Sequence, residues 1–173
     1  MLLRRRIEIA DPSIPGSRQP YHAAEEIGLP GAKDFLERCE KGSRQFALAA
    51  IRGAVAEIRK GRREVVASGL LLASGKPLGS VEDTLGSHAK IHTADGEHFR
   101  DAIARAAGDL GLSLTRVREK DLWDAAAKEM KVSAAVFQER IAALGKTLGP
   151  PWRIDEKLAT AVGCLALALK PAR

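Results

Sequence analysis

Val65 to Ala73, VVASGLLLA, is the most apolar run in the sequence, and it is bounded by the turn residues Ser74-Gly75-Lys76-Pro77. β-Branched residues open it. A short continuous apolar run between turn signals reads as a strand buried on both faces, as in a parallel sheet. Working outward, Leu112 to Val117 alternates and reads as a second such strand. Arg6 to Ala10, with Ile7 and Ile9 on one face, reads as an earlier one. The intervening segments carry helical spacing. His22 to Ile27 predicts a short helix closed by Gly28. From about Gly31 a helix places Phe35, Leu36 and Cys39 on one face. Gly42 interrupts it, and Ser43 caps a second helix in which Phe46, Ala50, Val55 and Ile58 recur until Gly61. Ser80, with Asp83 three residues on, opens a helical region that runs to about Asp109, broken at Gly86 or Gly96. Lys120 to Met130 and Ala134 to Leu144 read as amphipathic helices, the second capped by Ser133. Gly149-Pro150-Pro151 breaks the chain, and Asp155 caps a last apolar helix, Glu156 to Leu169. Strands alternating with helices predict an α/β fold, a mainly parallel short sheet covered by helices.

Composition sets the class. A chain of 173 residues predicts one α/β domain over residues 1–173. Hydrophobic residues at 45% and charged residues at 29% exclude a disordered chain, and aromatics at 4% leave the core to Ala, Leu, Ile and Val. Cys39 and Cys164 form neither a disulfide framework nor a zinc motif and read as reduced core thiols. MLLRRRIEIAD lacks the apolar region of a signal peptide, and no stretch approaches the roughly 20 residues of a membrane span. The expectation is a cytoplasmic protein with no membrane partner. The sequence carries no signal of oligomeric state. A net charge of +6 permits an anionic partner such as nucleic acid, with Arg62, Arg63, Lys76 and Arg100 as candidate contacts.

The polar chemistry concentrates in Ser87 to Arg100, SHAKIHTADGEHFR, which holds three of the four histidines. His88 and His92 are four apart and share a helix face one turn apart, and Asp95, three further on, continues that face. Two imidazoles and a carboxylate so spaced are candidate ligands for a divalent metal. In the metalloprotease motif a general-base Glu follows the first His; here that position is Ala89, so that mechanism has no base. The same spacing also fits partly buried histidines bonded to neighbouring groups, or an anion site. Glu97 and Arg100 are placed to pair. Gly96, costly inside a helix, marks either a break or a close approach. Trp152, after two prolines, reads as a packing anchor. No nucleophile elbow, Walker loop or dinucleotide fingerprint occurs, so there is no nucleotide or nicotinamide motif.

From about Ser43 to Leu169 the order of elements resembles the ribonuclease H-like superfamily, in particular its Holliday-junction resolvase branch. The matching pieces are VVASGLLLA, HFRDAIARAAGDLGL, SLTRVRE and IDEKLATAVGCLALAL, and IEIADPSIPG looks like that family's first strand. The resemblance implies a catalytic Asp11 at the end of that strand, Asp155 as a second metal-binding carboxylate, and two cations about 4 Å apart working on a phosphodiester. The chain departs from the pattern after Asp11, where a Pro-rich stretch replaces two strands, and near Ser68, where a carboxylate belongs. Asp95 or Glu97 would have to supply that charge.

Two functional readings follow. One is a metal-dependent hydrolase acting on phosphodiesters or nucleic acid. Asp11, Glu97 and Asp155 are its catalytic candidates, with His88, His92 and Asp95 around a divalent metal, Mg²⁺ or Mn²⁺ ahead of Zn²⁺. The other is a non-catalytic binding or assembly protein with an anionic or protein partner, for which the same segment is a polar interface.

Overall fold

The apolar run does form a strand, though a shorter one than its composition predicts. In the computed structural model, which describes residues 3–73 and 77–169, β1 spans Ser68–Leu72. It pairs in parallel with β2, Leu114–Arg118, in the register Ser68↔Leu114 to Leu72↔Arg118. These two strands are the whole sheet among the described residues. The described residues are mixed helix and strand, and at 66% helical they are dominated by helices. The described residues divide into two compact units, one of residues 3–4, 58–73 and 111–169, the other of residues 5–57 and 77–110.

The first unit holds the sheet, a 3₁₀ turn (Glu119–Asp121) and three helices: α5 (Leu122–Glu129), α6 (Ala134–Leu148) and α7 (Ile154–Ala168). Its core is apolar and large, built from Leu122, Phe137, Ile141, Leu158, Val162 and Leu165. Helix α7 lies directly on β1. A Cβ on Gly69 would fall 2.7 Å from the Val162 carbonyl oxygen, so only glycine allows that approach. Every β1 residue is half-buried. The double-sided burial that the sequence predicts does not occur, because a two-stranded sheet has too little width to be enclosed. Ser133 caps α6 through Val136 N as its position predicts. Asp155, by contrast, is not a cap: Arg153 holds that position, its N–H donating to Glu156 Oε2 at 2.7 Å, and Asp155 sits exposed in the first turn. Trp152 is the anchor expected of it, since its Nε1 donates to Ile141 O and its ring lies on Gly145. Arg4 donates to the carbonyls of Gly149, Pro150 and Pro151, so this basic residue has a structural task.

The second unit holds α1 (Pro20–Ile27), α2 (Leu29–Lys60, whose last turn passes into the first unit), α3 (Val81–Leu85) and α4 (His88–Asp109). Two predictions fail here. Arg6 to Ala10 forms no ladder; it has no regular secondary structure, and Ile9 enters a core with Ala47, Ala102 and Ala106 while Ile7 stays exposed. And α2 runs unbroken through Gly42 and Ser43. A Cβ on Gly42 would come within 2.8 Å of Asp11 Cβ, and buried Ser43 meets His98 of α4 at 3.0 Å. The two small residues that read as a helix boundary are there because neighbours crowd that face. The break at Gly86 is real, with Ser80 capping α3 through Asp83 N at 3.1 Å, but Gly96 lies within continuous α4. The Gly96 gap is filled by the guanidinium of Arg100, which pairs with Glu97 at 3.3 Å as the spacing predicts. Both cysteines are free thiols, Cys39 buried and Cys164 half-buried.

Candidate metal centre

Two helices supply the site. Ser87 is extended and starts α4, so His88 is its first residue and His92 lies one turn further along the same face. Their rings meet edge-on with centroids 4.6 Å apart, and their Nε2 atoms are 3.1 Å apart. Two nitrogens bound at 2.0–2.1 Å to one tetrahedral ion stand about 3.4 Å from each other. The pair is therefore close to the separation that a shared ion requires.

The third imidazole is one that the spacing argument missed. His22 of α1 packs against both, its centroid 4.5 Å from that of His92 and 5.5 Å from that of His88. Each of the three offers a ring nitrogen, and these nitrogens all lie within 4.8 Å of one another. His22 is half-buried, while His88 and His92 are exposed, so an ion can reach the cluster from solvent. Three imidazoles make a donor set of neutral nitrogen ligands, with room for a further ligand.

Asp95, expected to continue the His88–His92 face as a ligand, turns instead to α1. It is 8% exposed, and its Oδ2 accepts from His22 Nδ1 at 2.5 Å while Oδ1 accepts from Tyr21 N at 2.7 Å. Burial raises the Tyr21 phenol above its ordinary range, with Glu40, Asp101 and Asp95 adding to the effect.

The remaining candidates lie elsewhere. Asp11 closes its own turn: Oδ1 accepts from Ser13 N at 2.9 Å and from Ser13 Oγ at 2.6 Å, and these bonds lower its carboxyl below the usual range. Asp155 belongs to the first unit. Arg62 and Arg63 are exposed there, just after α2, while half-buried Arg100 lies in the second unit. Lys76 is outside the described residues. Within the basic run Arg4 to Arg6, Arg5 pairs with Glu57 at 2.6 Å.

The Ser43–His98 contact has the composition of a nucleophile and its base, but Ser43 is 0% exposed, so no substrate reaches its hydroxyl. The contact joins α2 to α4. Burial pushes the His98 imidazole below its ordinary pKa, with nearby Glu40, Asp95 and Asp101 acting in the other direction.

No helix among the described residues is long and apolar enough to cross a membrane. No family model matches the chain, and neither does any curated protein or solved structure.

Proposed function

We propose that the protein is a metal-dependent hydrolase in which His22, His88 and His92 hold the ion and a water occupies its fourth position. The observation that carries this reading is the convergence of three ring nitrogens within 4.8 Å from two different helices. Imidazole donors suit Zn²⁺, Co²⁺, Ni²⁺ or Cu²⁺ better than Mg²⁺ or Mn²⁺, so the preference moves to Zn²⁺. Three protein ligands and one water are the arrangement of a catalytic zinc, which lowers the pKa of its water to about 7 and makes it a nucleophile. The substrate class we propose is a phosphodiester. A net charge of +6 supports it, as does the ribonuclease H-like layout. That layout is itself a proposal: the parallel β1–β2 pair is consistent with it, while the strand that would carry Asp11 does not form among the described residues. Asp11 and Glu97, which belong to the same unit as the three histidines, stay as its acid–base candidates.

One observation favours the non-catalytic alternative. His88 and His92 lie exposed, where an ion can take its last ligand from a partner molecule.

Calorimetric titration with Zn²⁺, followed by an assay on bis(p-nitrophenyl) phosphate, tests the reading. The expected result is one ion per chain and a turnover that falls at least about 100-fold in His92→Ala. Failure to bind Zn²⁺, Co²⁺ or Ni²⁺ would sink the metal site. Tight binding with no turnover of this or longer phosphodiesters would leave the binding protein as the answer.

A further inference from the structure

We propose that Asp95 is the positioning residue of the histidine cluster, making metal occupancy and the docking of α1 on α4 a single equilibrium. This rests on the reading of His22, His88 and His92 as metal ligands.

The three ligands are not equally secured. His88 and His92 sit one turn apart on a helix of 22 residues and need only that helix to meet. His22 comes from α1, which has 8 residues and no side-chain bond at its N-cap. A helix so short is not stable alone in water, so its place depends on what it touches. Pro20 and Ala24 supply buried apolar contact, and Asp95 supplies the polar one.

That polar contact is specific in two ways. A carboxylate can only accept, so the bond from His22 Nδ1 fixes the proton on Nδ1 and leaves the lone pair on Nε2. The same carboxylate takes Tyr21 N through its other oxygen, which fixes the start of α1 against α4. One buried side chain therefore sets both the tautomer of the third ligand and the location of the helix that carries it. An ion bound by all three imidazoles has to favour the docked state, because the undocked state offers two ligands instead of three. Linkage then requires that docking favour the ion by the same factor.

The test uses the full chain. Zn²⁺ affinity and the visible absorption of the Co²⁺ complex are measured for the wild type, His88→Ala and Asp95→Asn. Amide hydrogen exchange of α1, from Tyr21 to Ile27, is followed with and without Zn²⁺. Asp95→Asn is expected to bind Zn²⁺ about 10–100-fold more weakly and to shift the Co²⁺ bands, as loss of an outer partner does. In the wild type Zn²⁺ slows exchange in α1, and in Asp95→Asn that protection is lost. Equal affinity and spectra in wild type and Asp95→Asn overturn the positioning role. Exchange in α1 that ignores Zn²⁺ overturns the coupling. A wild type that binds no Zn²⁺, or a His88→Ala that binds it unchanged, overturns the metal reading itself and so is told apart from both. Should Asp95→Asn fail to fold, the ¹⁵N tautomer pattern of the wild-type apoprotein decides: Nδ1–H on His22 is required, and Nε2–H refutes the proposal.

Discussion

The two units treat polar groups in opposite ways. Among the described residues, every buried residue of the unit with the sheet is apolar, from Leu122 to Ala166. The histidine unit buries Ser17, Ser43, Thr84 and Asp95, and its apolar interior is more than half alanine, Ala47, Ala102 and Ala106 among them, beside a few larger side chains such as Phe35, Leu36 and Ile91. A core of large aliphatic side chains is stabilised by area removed from water and by dense packing. A core of small side chains with polar groups among them depends on each donor finding its acceptor. No buried side-chain nitrogen or oxygen among the described residues lacks a partner. The lesson is that the second unit gives up apolar volume for fixed polar geometry, and the metal-ligand candidates lie there.

The comparison can be broken most forcefully in the apolar unit. Leu122→Ala, at a site with 0% exposure, is expected to cost about 3 kcal/mol, read from the urea midpoint. A loss below about 1 kcal/mol would mean that this core is not close-packed. A smaller effect separates two glycines of α2 in the other unit. Gly42→Ala drives a methyl into Asp11 and should destabilise by about 1–2 kcal/mol. Gly53→Ala meets nothing within 4 Å and should stabilise by about 0.5–1 kcal/mol, because alanine is the better helix former. The same substitution in one helix thus takes opposite signs, and thermal unfolding of the two variants would show it.

The smallest expected effect is a slope with pH. His98 has a folded-state pKa below its ordinary value of 6.5, because burial disfavours its charged form. The unfolded chain then takes up the proton first, so stability is full above 6.5 and falls as the pH drops through that value toward the folded pKa. Subtracting the pH profile of His98→Gln from that of the wild type isolates this residue. A wild-type profile that gains stability on acidification relative to the variant would contradict the buried, neutral imidazole bonded to Ser43.

The sequence was most readable where local pattern and tertiary environment agree. Ser133 as a cap, the Gly28 stop and the alternation of SLTRV all report chemistry within a few residues. The helices α5 to α7 follow from apolar periodicity that their core then uses. What escaped depends on partners remote in the chain. Gly42 and Ser43 look like a helix boundary until Asp11 and His98 are seen against them. The strand expected at Arg6 to Ala10 had the right alternation, but no described strand lies beside it to complete a ladder. His22 is the instructive omission. Counting spacing along one helix found His88 and His92 and then assigned Asp95 to the same face. Two imidazoles are left, His22 and His98, and nothing in the local spacing of His22, alone in a short segment, links it to α4. The spacing places Asp95 beside His88 and His92; that it accepts from His22 needs the fold.

The alanines on α4 have one more effect. Ala102 and Ala106 share a core cluster with Ala47 of α2 and with Ile9, and Leu48, Ile51, Phe99 and Ile103 pack against it. The three alanines are fully enclosed, with little to lose by truncation and no room for growth, so drift at these positions is one-sided. Their burial also fixes which face of α4 turns inward. The bearing along which His88 and His92 leave α4 is thereby set by residues several turns away that carry no chemistry of their own.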